Sequence, residues 1–115
     1  MTQLEKLNAK IRVSISNPDS DSHSMFSRGI ADLCLGVRTL GSLNAAAKSM
    51  GMAYSKAWRI IKETEAALEI QLLVRDGAHG STLTAEGNTL LDTYVALNER
   101  LNKEAEKLFR EAIKK

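Results

Sequence analysis

Residues 41–84 read GSLNAAAKSMGMAYSKAWRIIKETEAALEIQLLVRDGAHGSTLT. Gly41 ends whatever helix precedes it, and Ser42 is suited to cap the segment LNAAAKSM by accepting a backbone N–H. Gly51 stops that helix, 43–50, after about two turns. A longer helix is expected over 53–68. On a wheel of about 100° per residue, Ala57, Ile60, Ile61, Thr64 and Leu68 share one arc, the face expected to pack inward. Ser55, Lys56, Arg59, Lys62 and Glu63 fall on the opposite side. IQLLVRD (70–76) then reads as a strand, GAHG (77–80) as a turn and STLT (81–84) as a returning strand. Together they give a hairpin over 70–84.

Upstream, Phe26, Ile30, Leu33, Cys34, Val37 and Leu40 recur at helical spacing, predicting a helix over 25–40. Gly29 and Gly36 each weaken it by about 1 kcal/mol relative to alanine. Before it lies the polar loop SNPDSDSHS (16–24). Before that, KIRVSI (10–15) alternates as a short strand burying Ile11, Val13 and Ile15. Downstream, Thr84 can cap a last helix over 85–113, with Glu86 favourably placed at the positive end of its dipole. The expected architecture is one domain, 1–115, mainly α with a small β component.

A short helix, a tight turn, a longer helix and then at once a hairpin form the winged helix-turn-helix arrangement, here with a long C-terminal dimerisation helix. In it, the helix 53–68 enters a major groove about 12 Å wide, and the wing, 75–81, lies along the DNA backbone. The outward cations of that helix suit phosphates and guanine edges. The candidate DNA-binding residues are Ser42, Asn44, Tyr54, Ser55, Lys56, Arg59, Lys62, Arg75 and Ser81. Ser42 either only caps its helix or also offers its backbone N–H to a phosphate. Tyr54 either stacks on Trp58, four residues away, or reaches a phosphate through its hydroxyl. Trp58 reads as packing at the domain edge, and His79 as an exposed turn residue.

Composition narrows the alternatives. The chain has 115 residues, 43% hydrophobic and 26% charged, which suits a single globular domain. A net charge of +2 is too small to identify a nucleic-acid partner, so the case rests on where the charges sit. The single cysteine, Cys34, excludes an intrachain disulfide and reads as a small buried hydrophobe. His23 and His79 are too far apart for a zinc spacing, and neither cofactor nor metal is expected. No Ser/His/Asp arrangement, phosphate loop or carboxylate pair suggests an enzyme. No apolar run approaches the roughly 20 residues of a membrane span, and MTQLEKLNAK lacks a signal core, so a cytoplasmic location is expected.

GSLNAAAKSMGMAYSKAW (41–58) resembles the molybdate-responsive ModE-type regulators: Gly-Ser, an alanine-rich short helix, Gly-Met, then Tyr-Ser and Ala-Trp. The family's LT-x-x-G-x-x-L pattern is met by Leu83, Thr84, Gly87 and Leu90. LysR-type regulators share a weaker version of the same core. The resemblance runs from about residue 8 to 97. It implies bacterial transcriptional regulation by sequence-specific binding of double-stranded DNA as a homodimer, with Tyr54, Ser55, Lys56 and Arg59 in the DNA-reading stretch. The wing GAHGS is shorter than the family's, and Ala53 replaces a serine that would cap the recognition helix. Full-length members carry oxyanion-binding domains after the helix-turn-helix. The chain ends at Lys115, so no such domain is expected in it, and the resemblance does not extend to molybdate sensing.

In the last helix Leu90, Tyr94, Leu97, Leu101 and Leu108 approximate a heptad seam and are the candidate dimer interface. The alternative is that the seam folds back on the N-terminal strand or first helix of its own chain. Glu63, Glu65 and Glu69 suggest a second functional reading, a winged-helix protein-interaction module without DNA binding.

Overall fold

The structure is a computed structural model and describes residues 2–77 and 80–114. Its elements are α1 (Arg28–Leu40), α2 (Leu43–Ser49), α3 (Tyr54–Leu68), β1 (Leu73–Arg75), β2 (Ser81–Leu83) and α4 (Ala85–Ile113), preceded by a 3-10 turn at Gln3–Lys6. This is a winged helix-turn-helix followed by a long helix. Ala78 and His79, at the tip of the expected wing, lie outside the described residues.

The helix starts follow the capping residues. Ser42 Oγ accepts the Ala45 N–H at 3.0 Å, and Thr84 Oγ1 accepts the Gly87 N–H at 2.9 Å. Ala53 starts α3 without a side-chain cap. The apolar stripes of α1, α2 and α3 meet over Leu33, Leu43 and Ile61, and α4 closes the core with Leu91 and Tyr94. Cys34 is buried among them, and that burial pushes its thiol up to about 12. Gly36 carries a helix-propensity penalty but is required here. A Cβ on it would stand 2.6 Å from Ala46 Cβ, so glycine is what lets α1 and α2 approach.

The wing is a two-stranded antiparallel ribbon pairing Leu73 with Leu83, Val74 with Thr82 and Arg75 with Ser81. Leu72 and Leu73 are both buried, and their amides are served by a side chain rather than by a strand. Glu65 Oε2, on α3, accepts the Leu72 N–H at 2.7 Å and the Leu73 N–H at 3.2 Å. The far side of the wing is seated on the turn between α1 and α2, where the Ser81 N–H donates to Gly41 O at 3.3 Å. A Cβ on Gly80 would lie 2.5 Å from that same oxygen, so a side chain there would lift the wing off.

The N-terminal segment departs from expectation. Residues 10–15 form no sheet strand; their one β-bridge joins Ile15 to Phe26, with both N–H···O bonds at 2.8 Å. That bridge holds Phe26 outside the helix, so α1 begins at Arg28 rather than at 25. Ahead of the bridge the chain runs extended along the outer half of α4. The Ile11 N–H donates to Asn102 Oδ1 at 2.9 Å, and Asn102 Nδ2 donates to Ile11 O at 3.1 Å. The Ala9 N–H donates to Glu106 Oε2 at 3.1 Å, and the Arg110 guanidinium donates to the carbonyls of Leu7 and Glu5. Steps of four residues on a helix rise about 6 Å, close to the roughly 6.6 Å of two residues of extended chain. Asn102, Glu106 and Arg110 therefore meet every second residue of the arm. Ile11 stays exposed, while Val13 and Ile15 are half-buried.

The seam on α4 divides in two. Tyr94 is only 6% exposed and packs edge-on against Phe26 at 5.6 Å between ring centroids, so it belongs to the core of its own chain and not to an interface. Leu90 is half-buried against that core. Leu97, Leu101 and Leu108 remain 39%, 39% and 54% exposed, because the arm covers a different face of the helix. Among the described residues no helix is long and apolar enough to cross a membrane, and no group of three or more His, Cys, Asp or Glu could hold a metal.

Candidate nucleic-acid interface

Arg75, the last residue of β1, stands where two hollows join. One, of about 390 Å³, lies between the start of α2 and the base of the wing, and is lined by Ser42, Asn44, Tyr54, Arg75 and Ser81. The other, of about 790 Å³, runs between α3 and β1 and is lined in part by Ser55, Trp58, Arg59, Lys62 and Arg75. Every candidate DNA-binding residue except Lys56 lines one hollow or the other. Lys56 is exposed on α3.

These side chains are positioned in different ways. Ser42 has its hydroxyl committed to the cap of α2, which leaves Asn44, exposed in the first turn, as the free polar group there. Ser81, a candidate DNA-binding residue, is buried and seats the wing on Gly41, so it forms the floor of its hollow. Tyr54 and Trp58 pack edge to face, with centroids 6.3 Å apart. Arg75 lies 5.0 Å from the centre of the Trp58 ring, and Lys62 Nζ lies 5.3 Å from it. Arg59 makes a loose 3.9 Å contact with Glu63, both side chains more than half exposed. Such exposed pairs contribute little, so Arg59 keeps its capacity to bind an anion.

Glu65 and Trp58 carry roles that the sequence reading missed. Glu65 looked like surface acidity favouring a protein partner. Its side chain is in fact only 10% exposed, tied to the wing amides and 3.3 Å from Lys62 Nζ. Its position four residues after the buried Ile61 was the available signal, since that spacing returns to the packed side of α3. Trp58 is half-buried as expected, but its indole faces the cations of the interface.

Residues 31–88, just over half of the 115, match the bacterial regulatory helix-turn-helix proteins of the lysR family. The chain belongs to this family. It is a DNA-binding transcriptional regulator of the helix-turn-helix type. The LysR-family match runs from early in α1 through α2, α3 and the wing into the first turn of α4. It leaves out the N-terminal arm and the outer half of α4. No curated protein matches the chain.

Proposed function

We propose that this LysR-family chain is a ModE-like, sequence-specific reader of double-stranded DNA, non-enzymatic and cytoplasmic, that acts as a homodimer. In this reading the recognition helix, α3, lies in the major groove with Tyr54, Ser55, Lys56, Arg59 and Lys62 facing the duplex. Arg75 and the start of α2, with Asn44, meet the flanking phosphates. The observation that carries it is the convergence of α2, α3 and the wing on Arg75, which lines up cations and short polar groups along one surface. The ModE-like assignment rests on the sequence pattern of 41–58 and on Leu83, Thr84, Gly87 and Leu90.

The dimer reading is now narrower than the heptad alone suggested. Leu97, Leu101 and Leu108 are its apolar contacts, with Leu90 at the margin. Glu104 interrupts this stripe. An apolar stripe left uncovered by its own chain supports a two-fold pair of α4 helices, and two-fold pairs place recognition helices about 34 Å apart on DNA.

The test is binding of the purified chain to random and genomic duplex fragments across a salt series of about 50 to 200 mM. Selective retention of a palindromic site, weakening steeply with salt, is expected. Equal retention of all fragments, or none at the lowest salt, would rule out a sequence-specific reader. Light scattering checks the dimer: a mass of 12.6 kDa for the particle in solution would refute it.

A further inference from the structure

Trp58 is the only tryptophan in the chain. It sits on α3 between Tyr54 and Lys62, one helical turn from each, on the side that faces β1. Two cations from different elements converge on its ring, Lys62 from α3 at 5.3 Å and Arg75 from the wing at 5.0 Å. Its own indole N–H is buried and has no hydrogen-bond partner among the described residues. A buried indole N–H normally finds an acceptor, and leaving one unpaired destabilises the folded chain. Phenylalanine or leucine would fill much of this space without that penalty. The position thus departs from what stability alone favours, and such departures mark functional sites.

We propose that Trp58 is the positioning residue of the DNA interface, its indole face holding Arg75 and Lys62 where phosphate oxygens meet them. The inference rests on the DNA-reading role of Arg75 and Lys62 given above. A cation over an aromatic face is attracted by the ring quadrupole and keeps its N–H donors free. For Arg75, an ion pair with a carboxylate would fix the side chain but would neutralise it and occupy those donors, whereas Lys62 is held both by the ring and by Glu65 at 3.3 Å. Arg75 closes a three-residue strand at the edge of a small ribbon. Its long side chain would otherwise lose rotamer freedom on binding, and stacking on Trp58 removes part of that loss beforehand. The same ring links the wing to the recognition helix, so phosphate contacts on the two elements are set in one geometry.

Affinity for a duplex carrying the selected site, measured for wild type, Trp58→Phe, Trp58→Leu, Arg75→Ala and the double variant Trp58→Leu/Arg75→Ala, tests this. Thermal midpoints would be recorded beside each affinity. Trp58→Phe, which keeps an aromatic face, is expected to bind within about two-fold of wild type. Trp58→Leu is expected to bind about five-fold more weakly, from the loss of exposed cation–π contacts, while its thermal midpoint is unchanged or higher. The double variant is expected to bind no more weakly than Arg75→Ala. Emission from Trp58 in the free protein should change in Arg75→Ala. Normal binding by Trp58→Leu, or effects of Trp58→Leu and Arg75→Ala that multiply in the double variant, would overturn the positioning role while leaving Arg75 as a DNA contact. Wild-type binding by Arg75→Ala would overturn the contact itself, and the positioning role with it.

Discussion

The reading half of the molecule and the outer half of α4 use similar side chains for opposite ends. Around α3 and the wing, Arg59, Lys62 and Arg75 are held by a loose contact, an ion pair with the inward-turned Glu65 and an aromatic face. Along α4, Arg110 is fixed by Glu106 at 2.7 Å and by the carbonyls of Glu5 and Leu7, and Asn102 closes both polar groups of Ile11. The first set is positioned with donors in reserve, and the second has its donors occupied by its own backbone. A cation's identity therefore says less about its role than the partners that hold it. The acids divide the same way: Glu65 is turned inward to serve the wing, while Glu106 serves an exposed arm.

The sharpest break of this comparison is Glu65→Ala. It leaves the buried Leu72 and Leu73 amides without their carboxylate, at a cost of about 3 kcal/mol. Denaturant unfolding should show that loss together with weaker DNA binding, because the wing loses its attachment to α3. A stability unchanged within about 0.5 kcal/mol would show that the amides find other partners. Next in size, Lys56→Ala with Arg59→Ala should raise the Kd for DNA at least ten-fold with no more than about 0.5 kcal/mol change in stability, since both side chains are exposed. A parallel loss of stability would make them structural residues.

Arg110→Ala should have the converse effect. Unfolding free energy should fall by only about 0.5–1 kcal/mol, because the lost hydrogen bonds are largely exposed, and DNA affinity should hold. Limited proteolysis between residues 5 and 11 should accelerate; unchanged cleavage would mean that the clamp does not hold the arm. The smallest effect is that of acid. The Ala9 N–H, and then Arg110, hold the Glu106 carboxyl below its ordinary value of 4.5. A depressed carboxylate stabilises the docked arm above the unfolded value, and that contribution disappears as pH falls through the lower, folded value. Proteolysis of the arm should therefore stay slow above about pH 5 and quicken below about pH 4, and Glu106→Gln should flatten the profile.

These contrasts also explain what the sequence did and did not reveal. The helix-turn-helix and wing were legible because local signals agree there: Ser42 and Thr84 as caps, glycine at the turns, and a 3.6-residue period in α3. The arm was misread because alternation of Ile11, Val13 and Ile15 indicates an extended chain without naming its partner. That partner is a row of side chains on α4, about 90 residues away in sequence for Ile11 and Asn102. Tyr94 was misread for a related reason. Heptad spacing is the same whether the facing ring is Phe26 of the same chain or a residue of a second copy. Of the candidate site, Ser55, Lys56, Arg59 and Lys62 were visible as an outward face of α3. The stacking of Arg75 on Trp58 joins residues 17 apart that only the wing's return brings together.

The salt dependence of site-specific DNA binding, compared between wild type and Arg59→Ala, tests the interface most directly. Each lost phosphate contact lowers the slope of log K against log salt by about 0.9. The expected result is a shallower slope by about one unit in Arg59→Ala, with the fold retained. An identical slope and affinity in the two proteins would contradict the placement of α3 against DNA.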